Sequence, residues 1–266
     1  YVRPVVSCRL LYVQEASSMF VEQVLRQYVE SPVVMLDLCA APGGKSTHAR
    51  SVLPEGSLLV ANEVIRNRSQ VLAENLTKWG HPDVVVTNND PADFSALPSF
   101  FDVILTDGPC SGEGMFRKDP VAVEEWSPEN VEICWQRQRR IIADIWPCLK
   151  PGGILIYSTC TYNSKEDEEN VCWIQQEFGA ELLPLEVQDE WNITGNFSME
   201  RMNLREVCLS AISFLIRQKA KDSFWRHFAN RIRKMNRQPI HSQKQSRPRK
   251  KIRKAERLLL PFPKNT

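Results

Sequence analysis

Short apolar segments alternate with helical patterns along most of this chain. Residues 33–38 form an almost continuous apolar run, as expected for a strand buried on both faces of a sheet. Further strands are predicted at 58–61, 84–86, 101–105, 154–157 and 209–216, and helices at 46–52, 64–79, 128–149 and 165–178. Strands that alternate with helices form parallel sheets through right-handed crossovers. We therefore predict an α/β fold, Rossmann-like, with a mostly parallel central sheet and helices on both faces.

The helical patterns also predict where helices begin and which faces they bury. The helix at 64–79 has apolar residues near helical spacing, namely Val64, Val71, Leu72, Leu76 and Trp79. Ser127 is a predicted N-cap, and Pro147 should kink the far end of the helix that Ser127 starts. Ser164 is the predicted N-cap of the last helix. We interpret the acidic residues at 166–169 as favourable charges at that helix N-terminus rather than as catalytic groups.

Charge divides the chain into two unequal parts. The net charge of +2 over 266 residues combines −13 in residues 1–216 with +14 in residues 217–257. A basic segment attached to an acidic body suggests a polyanionic partner for that segment. The segment could also be a disordered, solubilising tail, and the sequence leaves both interpretations open.

Several classes of protein are excluded by composition. No apolar stretch approaches the roughly 20 residues that a membrane span needs. The eight cysteines include no CxxC pair, so zinc-site spacing is absent and no metal is expected. No secretion signal precedes them, so we expect reduced thiols and a cytoplasmic protein. The chain does not begin with Met, and we expect it to be a fragment or a processed product.

The loop after the first strand is the first motif with chemical content. Residues 37–46 read DLCAAPGGKS, which lets a ligand approach the backbone at the N-terminus of the following helix. Two ligand classes compete at this point. Residues 44–46 match the end of a nucleotide-binding P-loop, but Cys39 replaces the first glycine of that motif. The small residues after Asp37 suit S-adenosylmethionine, and Glu63 at the end of the second strand could accept hydrogen bonds from ribose hydroxyls.

Two cysteines follow neighbouring strands of the predicted sheet. Residues 106–110 read TDGPC and residues 157–162 read YSTCTY, so Cys110 and Cys160 should both reach the edge where ligands bind in parallel sheets. A thiolate is a strong nucleophile once its pKa is lowered. One such cysteine is usually structural, but two at neighbouring strand ends predict a thiol-dependent reaction.

Three motifs, in order, resemble the Nop/Sun-type RNA 5-methylcytosine methyltransferases, and especially their bacterial branch that modifies small-subunit ribosomal RNA. They are DLCAAPGGK at 37–45, DGPCSGEGMFRKD at 107–119 and STCT at 158–161, and QEASSM at 14–19 resembles the same branch. The resemblance covers about 11–185. It implies a class I methyltransferase fold, S-adenosylmethionine as the cofactor and RNA as the substrate.

The resemblance also implies roles for individual residues. It makes Cys160 the nucleophile that attacks C6 of cytosine and Cys110 the residue that helps to release the product. Asp107 is expected to hold the N3/N4 edge of the base, and Lys45 to reach the pyrimidine. The implied cofactor contacts are Cys39, Ala40, Ala41, Pro42, Gly43, Gly44, Lys45, Glu63, Asp90 and Asp107.

Domain organisation and partners are predicted on the same basis. Residues 1–32 are expected to be the remnant of an N-terminal lobe with the helix that leads into the domain, 33–216 the methyltransferase domain and 217–266 a basic, flexible tail. We expect a monomer that acts on 16S ribosomal RNA, with transfer RNA as the second choice. Two other functions stay open: a P-loop-like nucleotide hydrolase, and an RNA-binding relic that transfers no methyl group.

Overall fold

The computed structural model describes Gln14 and residues 17–116, 119–186 and 188, together with the backbone of 212–217. These residues belong to the first of two units into which the chain divides, 1–221 and 222–266. The predicted tail, apart from the backbone of Arg217, lies outside the described residues, and so do Glu15 and Ala16 of the QEASSM motif.

Seven strands and six α-helices make up the described part. The strands are β1 (Val34–Asp37), β2 (Leu58–Asn62), β3 (Val84–Thr87), β4 (Phe101–Asp107), β5 (Leu149–Thr159), β6 (Glu181–Leu182) and β7 (Ile212–Arg217). The helices are α1 (Val21–Tyr28), α2 (Gly44–Val52), α3 (Arg66–Trp79), α4 (Pro120–Glu125), α5 (Pro128–Ile145) and α6 (Glu168–Phe178). Short 3-10 helices lie at Ser17–Phe20, Pro91–Ala96, Glu113–Met115 and Trp146–Cys148. Among these described helices, none is long and apolar enough to cross a membrane.

The strands form one sheet in the order β3-β2-β1-β4-β5-β7-β6. The first five are parallel to their neighbours, whereas β7 is antiparallel to β5 and β6. The chain moves outward from β1 to β3 and then returns to place β4 on the other side of β1. Loops after β1 and β4 diverge at such a reversal, which makes it the place where α/β sheets bind ligands. The predicted Rossmann-like fold, mostly parallel, is confirmed.

Apolar side chains from helices and strands fill one main core. Met35 and Leu59 are fully buried there beside Val103 and Leu105 of β4. Three residues of α1 complete the same cluster, namely Val21, Val24 and Leu25. Burying such side chains is the main favourable contribution to folding. Helix α1 therefore packs as part of the domain that contains the sheet.

Some predicted helix boundaries are wrong for physical reasons. Helix α5 ends at Ile145 rather than near 149, because Pro147 has no N–H and forces a 3-10 turn. Helix α6 begins at Glu168, so the predicted N-cap at Ser164 is wrong. Strand β5 begins at Leu149 rather than at 154, so it includes Pro151, Gly152 and Gly153. A shift in register with β4 absorbs the irregularity there.

The predicted apolar face of α3 is only partly correct. Leu72 and Leu76 are buried, but Val71 and Trp79 are exposed. Val64 is also exposed and precedes the helix, which begins at Arg66. A side chain at the edge of the apolar face of a helix stays exposed where no neighbouring element packs against it. The exposed residues at 64 and 65 instead line a cavity.

The start of α5 offers a direct test of local stability. Ser127 is its N-cap, as predicted, and its hydroxyl oxygen accepts a hydrogen bond from the Asn130 N–H at 3.1 Å. Ser127→Ala should lower the free energy of unfolding by about 1 kcal/mol, because one N–H of the first turn loses its acceptor. Urea denaturation measures the change. Ser127→Asn supplies another acceptor and is the control; equal losses in both variants would contradict the capping role.

Candidate active site

The reversal in strand order places three loops around one cavity of about 960 Å³. The loop after β1 contributes Cys39 and Lys45, the loop after β4 contributes Cys110, and the end of β5 leads to Cys160. A second cavity of about 220 Å³ lies beside the first, and the two share Ser18, Cys39, Lys45 and Asp107. Segments far apart in sequence therefore meet at the carboxyl edge of the sheet.

The loop after β1 is held in a tight turn. The Gly43 N–H donates to the Ala40 carbonyl at 2.7 Å, and the Ala40 N–H donates to the Asn62 carbonyl at 2.8 Å. Gly43 has φ +108°, and a Cβ there would lie 3.2 Å from Leu72 Cδ1, so a glycine satisfies both the turn and the close helix packing. The turn leaves Ala40, Ala41, Pro42 and Gly44 lining the smaller cavity.

Asp37 is a fully buried acid beneath this turn. Its Oδ2 accepts a hydrogen bond from the Ser46 hydroxyl at 2.6 Å, whereas its buried Oδ1 has no hydrogen-bond partner among the described residues. Burial raises the pKa of Asp37 to about 7, and the Asp107 carboxylate acts in the same direction. Asp37 also lines the smaller cavity.

Glu63 and Asp90 lie where the next two strands end. Glu63 is almost completely buried, and its carboxylate accepts from the Ile65 N–H at 2.9 Å and lies 3.3 Å from Arg68. Asp90 caps the following 3-10 helix and forms an ion pair with Arg140 at 3.2 Å. Both acids line the larger cavity. Each keeps a fixed position because backbone N–H groups or a guanidinium already hold it.

Lys45 and Asp107 form an ion pair between the loops after β1 and β4. Lys45 Nζ lies 2.8 Å from Asp107 Oδ2, and the Ser158 hydroxyl donates to Asp107 Oδ1 at 3.3 Å. Burial alone would lower the pKa of Lys45, but the Asp107 carboxylate outweighs it, so the pKa of Lys45 is raised. The ammonium therefore stays charged in a partly buried site and brings a positive charge near the cysteines.

The sulfur atoms of Cys110 and Cys160 are 2.9 Å apart. The hydrogen bond between them affects the two thiols in opposite directions, as expected when one donates to the thiolate of the other. It lowers the pKa of Cys160, with a further contribution from the Lys45 charge, and it raises the pKa of Cys110, as does burial. Of the two thiols, Cys160 therefore loses its proton more readily. Burial, with the Asp37 charge second, raises the pKa of Cys39, which makes a third reactive thiol unfavourable.

Comparison with known proteins adds to this geometry. Residues 25–227 match the family model described as 16S rRNA methyltransferase RsmB/F, which is more than half of the chain. The chain belongs to the RsmB/F family.

Relatives within the RsmB/F family share much of the described domain. Ribosomal RNA small subunit methyltransferase F of Pectobacterium atrosepticum is 42% identical over 170 residues, which are 64% of this chain and 35% of that protein. The protein of the same name in Escherichia fergusonii is 41% identical over 179 residues, 66% of this chain and 37% of that protein. The chain thus spans little more than a third of the length of these curated relatives.

Solved structures give the same result for the fold. NSun6 from Pyrococcus horikoshii, in a crystal structure with SFG, is 26% identical with a TM-score of 0.67; the match covers 79% of this chain and 53% of that one. A methyltransferase homologue from the same organism is 28% identical with a TM-score of 0.62, and the match covers 78% and 68% of the two chains.

The structure brings together most of the residues that the sequence singled out in this RsmB/F chain. Those that line the larger cavity are Cys39, Lys45, Glu63, Asp90, Asp107, Cys110 and Cys160. Gly43 lines neither cavity and instead precedes α2 as its N-cap residue. Within the described residues, no cluster of His, Cys, Asp or Glu has the arrangement of a metal site.

Sequence reasoning missed the polar residues behind the two cysteines. Glu166 and Asp167 were interpreted as charges at a helix N-terminus, but both are fully buried and precede α6. The Thr159 hydroxyl donates to Asp167 at 2.6 Å, and burial raises the pKa of Asp167 well above its usual range. No signal in the sequence separates these two acids from the charges beside them, because partners such as Ser111 and Gln138 are distant in the chain.

The opposite pKa shifts of the cysteine pair can be measured by alkylation. At neutral pH, iodoacetamide should modify Cys160 before Cys110, because the thiolate is the reacting form. Cys110→Ala should slow the modification of Cys160, since the donor that lowers its pKa is lost. Peptide mass spectrometry locates each adduct, and Cys172→Ala, at an exposed thiol outside the site, is the control. Faster modification of Cys110 would contradict the assignment.

Proposed function

We propose that this chain transfers a methyl group from S-adenosylmethionine to C5 of cytosine in RNA through a covalent bond between Cys160 and C6. The observation that carries the proposal is the contact of two cysteine sulfurs at 2.9 Å beside Lys45 and Asp107. A hydrolase that uses a P-loop needs no such pair of thiols, and membership of the RsmB/F family argues against that alternative.

The chemistry requires two thiols with different duties. C5 of cytosine is a weak nucleophile, and addition of the Cys160 thiolate to C6 pushes electrons onto C5. S-adenosylmethionine, when bound, supplies the electrophilic methyl group. The C5 proton must then leave so that the electrons of the C5–H bond can expel the Cys160 sulfur from C6. Cys110 can act as the base for that proton once it has lost its own, and its sulfur is close enough because it already contacts that of Cys160.

Lys45 and Asp107 are suited to bind and polarise the base. A carboxylate can accept hydrogen bonds from the exocyclic amine of cytosine and from N3 when N3 is protonated. The Lys45 ammonium offsets negative charge that develops on the ring during addition, and it keeps Asp107 in place through their ion pair. Positioning of this kind, rather than new chemistry by the protein, would supply most of the rate enhancement.

The residues present fit a sulfonium nucleoside cofactor. Glu63, buried at the end of β2, places a carboxylate where ribose hydroxyls can donate to it. Asp37 Oδ1 is a buried acceptor without a partner in the described part of the chain, which suits the amino group of a bound amino-acid moiety. Asp90 borders the same cavity and would hold the adenine end of the ligand.

The proposed substrate is small-subunit ribosomal RNA, with transfer RNA as the alternative. The bacterial relatives, which are named ribosomal RNA small subunit methyltransferase F, support ribosomal RNA. A base stacked in a helix cannot reach the Cys160 sulfur, so the target must be unpaired or rotated out at a cost of about a few kcal/mol. The charge of +14 in residues 217–257 would attract RNA phosphates, and this attraction should weaken as salt is raised.

Loss of the nucleophile should separate catalysis from cofactor binding. Cys160→Ala should abolish methyl transfer from labelled S-adenosylmethionine to ribosomal RNA while leaving cofactor affinity at the wild-type level, since the thiolate is needed only for addition to C6. Cys172→Ala makes the same change at an exposed site and should keep full activity. Retained turnover in Cys160→Ala would sink the nucleophile assignment. An inactive wild-type chain that still binds RNA would instead support the relic interpretation.

Loss of the second cysteine should trap the covalent intermediate. Cys110→Ala removes the group that assists proton removal, so the bond between Cys160 and C6 should persist after methyl transfer. A denaturing gel should then show a protein–RNA band that is absent from the wild type. The double variant Cys110→Ala, Cys160→Ala is the matched control and should show no band. A band that survives in the double variant would refute the attachment at Cys160.

A further inference from the structure

A fully buried carboxylate lies directly behind the two cysteines. Glu166 has no exposed surface, and its three hydrogen-bond donors are neutral groups. They are the Ser111 N–H at 3.1 Å, Gln138 Nε2 at 2.8 Å and Asn163 Nδ2 at 2.8 Å. A buried carboxylate is costly unless its oxygens are well satisfied, so this arrangement needs an explanation.

Each donor belongs to a segment that carries one of the cysteines or holds it in place. Ser111 follows Cys110 directly in the chain. Gln138, on α5, also donates to the Pro109 carbonyl at 3.0 Å, so it fixes the residue before Cys110. Asn163 follows Cys160 by three residues, and its amide also donates to Thr161 at 2.7 Å. The Glu166 carboxylate therefore joins residues 109–111 to residues 161–163.

We infer that Glu166 is a positioning residue for the reaction proposed above, and that its carboxylate sets the distance between the Cys110 and Cys160 sulfurs. The inference rests on the proposed function, because the positioning would serve that reaction. The hydrogen bonds of Glu166 are independent of it. A carboxylate only accepts hydrogen bonds and has room for several donors, whereas a glutamine in its place would turn an NH₂ group toward at least one of them. The two segments would then be joined by fewer hydrogen bonds, among them the one between the Ser111 and Thr161 hydroxyls at 3.0 Å, and the two sulfurs could move apart.

The direction in which the pKa of Cys160 changes in a Glu166 variant distinguishes a positioning role from a purely electrostatic one. The contact with Cys110 is the largest cause of the lowered pKa of Cys160, whereas the negative charge of Glu166 acts the other way and raises it. If Glu166→Gln only removed a charge, the pKa of Cys160 would fall. If it lets the sulfurs move apart, the pKa of Cys160 should rise, because the donor that stabilises the thiolate is lost.

Alkylation of Cys160 across a pH series therefore tests the inference without RNA or cofactor. The full chain and its Glu166→Gln variant are treated with iodoacetamide, and the modification of Cys160 is followed by peptide mass spectrometry. We expect a higher pKa and slower modification at neutral pH in the variant. A lower or unchanged pKa would overturn the inference. Glu169→Gln makes the same chemical change at an exposed residue of the same segment and should leave the profile unchanged.

Turnover provides the second measurement and a control for general destabilisation. Glu166→Gln should lower kcat by roughly 10–100-fold, as loss of outer-shell partners does, while cofactor affinity stays unchanged. Ile174→Val, at a fully buried position on α6, should lower the melting temperature without lowering kcat. Equal kcat in Glu166→Gln and Glu169→Gln would also overturn the inference. If the wild type transfers no methyl group, the proposed function fails, whereas the alkylation result still decides the role of Glu166.

A second variant covers the case in which Glu166→Gln does not fold. Asn163→Ala keeps the carboxylate but removes the donor on the Cys160 side, so one of the links between the segments is lost. The pKa of Cys160 should rise in this variant too, by less than in Glu166→Gln. A folded Asn163→Ala protein, by circular dichroism, with the wild-type pKa of Cys160 would contradict the inference.

Discussion

The parallel pairing of β4 with both β1 and β5 determines the architecture of the site. Asp37 pairs with Leu105, and Asp107 pairs with Ser158, so the ends of the three strands lie at one edge of the sheet. The loops that follow can then exchange hydrogen bonds although about 50 to 70 residues separate them in the chain. A slip of one residue in either pairing would turn Asp107 to the other face and separate it from Lys45.

Charge beside the two cysteines is arranged around the ion pair of Lys45 with Asp107. Asp37, Glu63 and Asp107 surround the loop after β1, and their mutual repulsion adds to burial in raising the pKa of Asp37. The Lys45 ammonium at 2.8 Å from Asp107 offsets part of this negative charge. It also favours the thiolate of Cys160, which the nearby carboxylates oppose. The thiolate form of Cys160 is thus favoured by the Cys110 contact and the Lys45 charge and opposed by burial and the nearby carboxylates.

Much of the fold and the site could be predicted because the signals are local. The apolar run before Asp37 and the small residues at 39–44 define a buried strand and a tight turn without tertiary information. The two cysteines could be assigned to one edge because strand ends in a parallel sheet share it. Family resemblance supplied their separate roles, which spacing alone leaves open.

What could not be predicted depends on partners that are distant in sequence. The acids at 166–167 look like ordinary charges at a helix start, and only the folded chain brings Ser111, Gln138 and Thr159 to them. The early end of α5 follows from Pro147, which the sequence predicts only to kink the helix, because a proline by itself does not decide between a kink and a stop. Which residues of α3 are exposed depends on the elements that pack against the helix, and the periodicity of the sequence does not contain that information.

The arrangement of these groups along the chain has a consequence for how such domains can be recombined. The predicted cofactor contacts other than Asp107 lie between residues 37 and 90, whereas both sulfurs and the network around Glu166 lie between 107 and 170. The connection through 91–100 is a short 3-10 turn followed by a largely exposed link. A chimera joined in that connection would take the loop after β1 with Glu63 and Asp90 from one parent and both sulfurs with the network around Glu166 from the other. The ion pairs of Lys45 with Asp107 and of Arg140 with Asp90 would cross the junction and have to be kept.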